Sequence, residues 1–349
     1  MLTFKEKYEA LLRKDSTYEG IFYAAVKTTI IFCRPTCRAR KPLAENVVFY
    51  DSVNEALLNG YRPCKVCKPL EPPGSMPNVI KYILSELVNR PFKKIKDKDL
   101  VIAGIEPNFV RRWFKKNLNM TFHAYQRMYK TNNALRNISK GKSVTQTAFD
   151  NGYDSLSGFI DNDKSIFGKA PTKVNYKNAI NIVRFTTPLG PMFGCATSKG
   201  ICLVEFCDRD ILDVQLRSLE IHFKTPILPG QNKHLDTLQV ELGEYFQRKR
   251  TFFTVPLHIQ GTDFQQEVWS FLKSIPYGKT ISYKAQSINM NKPKAIRAVA
   301  SANGLNKVAI VVPCHRVIGS DGKLKGYGGG IARKKWLIEF EKGNILKGS

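Results

Sequence analysis

Two close pairs of cysteines, Cys33 with Cys37 and Cys64 with Cys67, constrain the fold of this chain more than any other feature. Three residues separate the first pair and two the second, with 26 residues between the pairs. Loops this short aim both sulfurs of a pair at one point, so two of them converge into a tetrahedral thiolate site. Zinc is the natural ion for four sulfurs, although an iron–sulfur cluster takes the same ligands. Four thiolates around one divalent ion carry a net charge of about −2, and alkylating one lowers it to about −1, an electrostatic switch toward anionic partners. The opening MLTFKEKYEALLRKDS is charged throughout and lacks the apolar run of a secretory signal. No later stretch approaches membrane-spanning length, so a cytoplasmic protein with no membrane partner is expected. In that compartment eight cysteines read as thiols or metal ligands rather than disulfides.

Charge points to the partner. The formal net charge of the 349 residues is +26. It divides as +4 over residues 1–75, +11 over 76–178 and +11 over 179–349. With 43% hydrophobic and 11% aromatic residues the chain has material for real cores, so the excess sits on folded surfaces. Such surfaces favour a polyanion, because neutralising phosphates releases condensed counterions. Charge alone leaves a solvated cationic face or an acidic membrane as alternatives.

The chain divides at PLEPPGSMP, Pro69 to Pro77, which reads as a stiff connector. Beyond it Val79, Ile80, Ile83, Leu84 and Leu87 recur at helical spacing until Pro91. Further helices are expected over Asn108–Asn117, Phe122–Ser139, Val144–Asn151 and about Ser155–Ser165. From Ile180 onward short β-branched runs such as NIVRF and ICLVEF indicate a sheet. Cys195, Cys202 and Cys207 lie there without a partner pattern and read as core or surface thiols. After Gly261 helices return, broken by Val308–Val312, an expected apolar strand that feeds Pro313-Cys314-His315.

A thiol followed by an imidazole is a nucleophile beside a base, and a carboxylate is the usual third group to orient the histidine. A cysteine attacks as thiolate, so the sequence reading requires Cys314 to be ionised at neutral pH. On local spacing alone, coincidence explains the Cys-His pair equally well.

Three resemblances sharpen these readings. FCRPTCRARKPLAENVVFY and GYRPCKVCKP resemble the N-terminal domain of the bacterial Ada family. This implies that Cys33, Cys37, Cys64 and Cys67 bind one zinc ion, and that Cys33 accepts a methyl group from a backbone phosphotriester. It also implies that Arg34, Arg38, Arg40, Lys41, Arg62 and Lys65 face phosphate. Residues 92–176 resemble the paired helix-turn-helix domain of AraC-type regulators. In the first unit Ile105-Glu106-Pro107 leads into a helix with Arg111, Arg112, Lys115 and Lys116 on its basic face and Trp113 and Phe114 toward the core. In the second, Ser155–Phe167 carries Gly158, Asp161 and Asp163, and acidic groups there weaken phosphate contact.

From about Thr262 to Gly343 the chain resembles the O6-alkylguanine-DNA alkyltransferases, centred on PCHRV. The resemblance makes Cys314 the alkyl acceptor, His315 its base, Glu341 rather than Glu339 the carboxylate, and Asn306 the brace of the active-site turn. Arg297 is then the residue that replaces a flipped nucleotide in the stack, and Tyr283 the tyrosine that assists at the phosphate and purine. Pro293 marks a helix start, and Ala295, Ala298, Ser301 and Ala302 allow close approach to a groove. Gly328 stands where many relatives carry a serine that can hydrogen-bond guanine, which bears on tolerance of bulky adducts.

Together these imply an α+β multidomain chain. It comprises a small zinc-binding α/β domain (1–75), an all-α paired helix-turn-helix domain (76–178), a sheet-bearing, ribonuclease-H-like subdomain (179–258) and a winged-helix-like alkyltransferase domain (259–349). The implied activity is stoichiometric methyl transfer from O6-methylguanine and O4-methylthymine to Cys314 and from phosphotriesters to Cys33, the latter switching on transcription of repair genes. The implied partners are alkylated double-stranded DNA, promoter DNA and RNA polymerase, for a monomeric, nucleoid-associated chain with no organic cofactor. On the residues alone, a purely regulatory lesion binder and a thiol redox sensor stay open.

Overall fold

The computed structural model describes residues 2–90, 93–118, 120–139, 141–150 and 179–343. The second helix-turn-helix reading segment, Ser155–Phe167, lies outside them.

The N-terminal region is a four-stranded sheet in the order β3-β1-β2-β4, from β1 (Tyr23–Val26), β2 (Ile31–Cys33), β3 (Val47–Tyr50) and β4 (Arg62–Pro63). The helix Phe4–Arg13 starts at a capping box between Thr3 and Glu6 and buries Leu11 beside Ala24 and Val47. The pairing that matters for chemistry is parallel β2 with β4, Ile31 opposite Arg62 and Phe32 opposite Pro63. Because Cys33 ends β2 and Cys64 follows β4, this pairing brings the two cysteine loops together. The Cys64 amide donates to Phe32 O at 3.0 Å.

The Pro-rich connector is folded onto its surroundings. Gly74, at φ +67°, packs on Pro191, and a Cβ there would come within 2.8 Å of the proline ring.

Next come the helices Asn78–Asn89, Asp97–Ile102, Pro107–Leu118, Phe122–Ser139 and Val144–Asp150. The first four enclose Ile80, Ile83, Leu87, Leu100, Val110, Trp113 and Phe114. Trp113 and Phe114 are core residues, as the sequence reading has them. Gly104, at φ +69°, makes the turn between the second and third helices.

The C-terminal half begins with a sheet in the order β7-β6-β5-β8: β5 (Ile180–Thr187), β6 (Gly190–Ala196), β7 (Ile201–Phe206) and β8 (Ile227–Pro229). The first three strands are antiparallel neighbours and β8 runs parallel to β5. Cys195 and Cys202 are fully buried in this sheet and Cys207 partly so. Helices Asp263–Ser274, Tyr283–Asn289, Ile296–Gly304 and Ile331–Glu341 follow, with the parallel strand pair β9 (Ile281–Ser282) and β10 (Val317–Ile318) among them. Trp269 is the largest of their buried side chains, its indole N–H donating to Ala302 O at 2.9 Å. Pro293 lies in the turn before Ile296 rather than at the helix start, because the chain first closes a turn from Lys292 O to the Ala295 amide.

Val308–Val312 is not a strand. All five residues are buried, but they form a compact turn that touches the sheet through a single bridge, Val308 to Val204. The Asn306 side chain explains this by supplying the hydrogen bonds that a neighbouring strand would otherwise supply. Its Oδ1 accepts from the Val308 amide at 3.0 Å and its Nδ2 donates to Val312 O at 2.8 Å. Ile310 is held at φ +72°, a conformation that β-branched residues avoid.

Arg333, 1% exposed, ties three parts of the chain together. It forms a two-pronged pair with Asp208 at 2.9 and 2.8 Å, donates to Leu189 O and Gly329 O, and reaches Ser16 O of the N-terminal region at 3.3 Å. Its guanidinium lies 4.1 Å from the centroid of the Phe206 ring. Removing it strands several buried acceptors at once, so Arg333→Ala is expected to cost roughly 2–3 kcal/mol. A fall in the urea midpoint of the C-terminal half checks this, and an unchanged midpoint refutes it.

Candidate active site and metal centre

Cys314 opens a three-residue 3-10 turn, Cys314–Arg316, delivered by the Asn306-braced segment. The thiol is 9% exposed and lies on a cavity of about 410 Å³ that Tyr283, Arg297, Asn303, Gly326 and Tyr327 also line. Asn306 Nδ2 donates to the Cys314 sulfur at 3.2 Å. Burial pushes the Cys314 thiol above its usual range, while the Asn306 hydrogen bond and the Lys334 cation pull the other way. The resting sulfur is therefore protonated at neutral pH. This corrects the ionised thiol of the sequence reading, because the pocket that admits a purine also strips water from the thiolate.

The base beside it is fully buried. His315 Nε2 donates to Glu341 Oε1 at 2.9 Å, a geometry that assigns the ring proton to Nε2 and leaves the Nδ1 lone pair free. Among the described residues nothing hydrogen-bonds Nδ1. Burial lowers the His315 pKa below the usual 6.5, partly offset by Glu341, so the imidazole is neutral and able to accept.

Glu341, at the end of the helix Ile331–Glu341, is the hub. It accepts from Tyr245 Oη at 2.9 Å, from Arg316 Nε and Nη2 at 2.8 and 2.9 Å, and from the Gly278 amide at 3.1 Å. Burial alone raises a carboxyl pKa, but the hydrogen bonds and charges of His315 and Arg316 hold this one well below the usual carboxylate range. Glu339 is only partly buried and is not a partner of His315.

Tyr283 donates to Lys325 O at 2.9 Å and receives the Lys334 ammonium at 3.4 Å, and burial raises its pKa to about 12. Lys334 is itself fully buried, donates to Lys325 O and Gly326 O, and is lowered by burial to about 8. Arg297, Ala298 and Ser301 share the exposed face of the helix Ile296–Gly304, while Ala302 packs inward. Sequence reasoning missed Arg316, Lys334 and Tyr245. Arg316 adjoins the Cys-His pair and was open to inspection, whereas the other two come from distant elements.

At the other end of the chain the sulfurs of Cys33, Cys37, Cys64 and Cys67 lie within 4.8 Å of one another. Zinc with ligands at about 2.3 Å places its sulfurs about 3.8 Å apart, and the Cys37–Cys64 pair stands at 3.9 Å. The donor set is of the kind and closeness that suit one zinc ion. Cys67 accepts the Arg34 amide at 3.4 Å, and Cys37 accepts from Ala39. Among the described residues no backbone amide reaches Cys33 or Cys64.

Arg34 departs from the phosphate-facing expectation. It is 5% exposed, pairs with Glu19 at 3.1 Å and donates to the carbonyls of Cys67 and Lys68. It braces the second cysteine loop from inside, because an internal carboxylate and a row of loop carbonyls already satisfy its fork. Arg38, Arg40, Arg62 and Lys65 are exposed, and Lys41 is partly buried with its ammonium on Pro35 O and Cys37 O. In the helical region Arg111, Arg112, Lys115 and Lys116 share the exposed face of their helix. Arg111 pairs with Asp97 and Arg112 with Glu106, exposed contacts that phosphates can replace at little cost.

Comparison with known proteins agrees with this division of chemistry. The model of the metal binding domain of Ada matches residues 6–70 and a helix-turn-helix domain model matches 101–176. The model of the 6-O-methylguanine DNA methyltransferase DNA binding domain matches 263–343. The Escherichia coli bifunctional transcriptional activator/DNA repair enzyme Ada is 33% identical over 353 residues, covering 98% of each chain. The chain belongs to the Ada family. The Salmonella typhimurium regulatory protein ada is 31% identical, covering 94% of each chain. The Mycobacterium bovis methylated-DNA–protein-cysteine methyltransferase is 56% identical over 102 residues, 29% of this chain and 62% of its own. As an Ada-family member the chain is a methylated-DNA–protein-cysteine methyltransferase with a zinc-bearing regulatory region. It is α+β and multidomain.

Two outcomes follow from the buried triad. The rate of Cys314 alkylation should fall in acid with a midpoint below 6.5, because protonating His315 removes the acceptor and its pKa is depressed. A midpoint at or above 6.5 in single-turnover rates contradicts this. Glu341→Gln should slow the reaction by on the order of 10²-fold, since a neutral amide does not stabilise the imidazolium.

Proposed function

We propose that Cys314 is the sulfur that takes the methyl group from O6-methylguanine, and from O4-methylthymine, in duplex DNA, and that Cys33 takes one from a methyl phosphotriester. The single observation that carries the first assignment is the Cys314 sulfur, held by Asn306 on a cavity large enough for a purine, with His315 next in the chain oriented by Glu341. His315 Nδ1 accepts the thiol proton, directly or through a water, and Glu341 stabilises the imidazolium. The sulfur attacks the methyl carbon in line, the S–C bond forms as the C–O6 bond breaks, and the electron pair passes into the purine. The proton lost by the thiol returns to the purine, which leaves as neutral guanine. Tyr283 lines the cavity, where its hydroxyl can assist the leaving base, and Lys334 donates to that hydroxyl from behind. A thioether has no easy route back, so each molecule of protein acts once.

Reaching O6 requires the damaged base to leave the stack. Exposed Arg297, on a helix whose outer face carries Ala298 and Ser301, supports insertion into the vacated space. For Cys33, support comes from its lack of a damping amide hydrogen bond, which leaves it more nucleophilic than Cys37 or Cys67 in the zinc thiolate set. Its alkylation removes one negative charge beside exposed Arg38, Arg40, Arg62 and Lys65, and so eases approach to phosphate. Arg111, Arg112 and Lys115 provide the promoter contacts.

The proposed boundaries are 1–75, 76–178, 179–258 and 259–349. The β7-β6-β5-β8 order with one parallel edge supports a ribonuclease-H-like third unit, and the helices around β9 and β10 support a winged-helix-like fourth. The regulatory half of this reading adds RNA polymerase as a partner of a monomeric chain working in the cytoplasm on the nucleoid. It is favoured over a thiol redox sensor because Cys314 faces a cavity large enough for a base.

Purified protein with duplex carrying labelled O6-methylguanine should transfer one methyl group per chain, with the label on the Cys314 peptide. Cys314→Ala should abolish this and leave promoter binding intact, and an unchanged repair yield rejects the assignment. Chelating zinc should abolish phosphotriester repair while sparing transfer to Cys314. Loss of both activities together rejects the separate 1–75 unit.

A further inference from the structure

Gly328 leaves a gap in the active-site loop, and a residue from another element fills it. A Cβ placed on Gly328 would fall 2.5 and 2.8 Å from the two terminal nitrogens of Arg209. Arg209 follows β7 in the sheet-bearing region, more than a hundred residues away in sequence. A long side chain in such a place is usually free to swing aside, but this one is held at both prongs. One prong pairs with Glu205, whose side chain is 1% exposed, and the other donates to Gly304 O at 3.0 Å. Glu205 also accepts the Phe206 amide at 3.0 Å, so the carboxylate is fixed in turn. Moving Arg209 strands a buried carboxylate, which is costly.

The two neighbours of this guanidinium mark its position relative to the chemistry. Gly304 and Tyr327 both line the cavity that carries Cys314, and Arg209 lies between the Gly304 carbonyl and the backbone that follows Tyr327. Its charge is also close enough to favour the Cys314 thiolate.

We propose that Arg209 determines the size of adduct this protein repairs: its guanidinium, locked by Glu205 and Gly304, takes the volume beside Gly328, closes that side of the base cavity and restricts Cys314 to small alkyl groups. Glu205 is the positioning residue that keeps it there. The sheet-bearing region thus backs the loop beside the reaction pocket, in the place where a side chain at 328 would otherwise stand. The inference rests on Cys314 being the acceptor.

The test compares single-turnover transfer from duplexes carrying O6-methylguanine or O6-benzylguanine, read as the benzyl-to-methyl rate ratio so that losses common to both cancel. Glu205→Gln with Arg209→Ala removes both charges, leaves no buried carboxylate unpaired and opens the wall. The ratio should rise about tenfold or more, in line with the discrimination that a pocket of fixed volume exerts. An unchanged ratio in active protein overturns the proposal. Should that double variant fail to fold, Glu205→Gln with Arg209→Gln keeps a donor for Gly304 O on a shorter side chain and strands no carboxylate. It should raise the ratio by about threefold, and no rise again overturns the proposal. Absence of label on Cys314 in the unaltered protein sinks the acceptor assignment instead, so the two failures are distinguishable.

Discussion

The C-terminal half is organised around one buried carboxylate. Glu341 has accepted hydrogen bonds from His315, Arg316, Tyr245 and the Gly278 amide, which join four separate segments of the chain at two oxygens. An unpaired carboxylate in this setting would cost several kcal/mol. Arg316 neutralises it, and the arrangement holds the imidazole in a single tautomer with its reactive nitrogen unengaged. The site is therefore loaded but quiet: a protonated thiol beside a neutral base, with charge separation postponed until a purine excludes water and offers a leaving group. A suicide protein gains from this, since a resting thiolate would be consumed by any soluble electrophile.

The zinc centre achieves reactivity by the opposite means. Bound zinc would be held by all four sulfurs and would keep the nucleophile deprotonated, while restraint comes from amide hydrogen bonds to particular sulfurs and from the buried Arg34 beneath the loop. The two ends of the chain meet through Arg333, whose guanidinium joins the start of the N-terminal region to the loop after Tyr327. The regulatory and repair halves are thus in physical contact in this structure.

Much of this was legible in the sequence, and the gaps have physical reasons. Helical spacing located Asn78–Asn89 and Pro107–Leu118 to within a residue or two, because an amphipathic helix writes its buried face directly into the order of residues. The cysteine spacing identified the metal centre for a similar reason, as both loops are local. Choosing Glu341 over Glu339 needed the family resemblance, since two acidic residues two positions apart look alike until one faces a histidine. Val308–Val312 misled because periodicity cannot separate a buried strand from a buried turn, and the deciding side chain, Asn306, lies outside the run. Arg34 misled because its neighbours in sequence are basic and exposed, while its partner Glu19 comes from an earlier turn. Arg209 was invisible, since its place depends on a contact across more than a hundred residues.

Cys314 rests as a thiol beside a neutral His315 whose proton sits on Nε2, facing Glu341. Nitrogen NMR of the imidazole at about pH 7, comparing the protein with its Glu341→Gln variant, reads this directly. A neutral ring with one protonated nitrogen, bonded to the carboxylate, is the expected spectrum. An imidazolium signal in the resting protein would mean a pre-formed thiolate–imidazolium pair and would contradict the account.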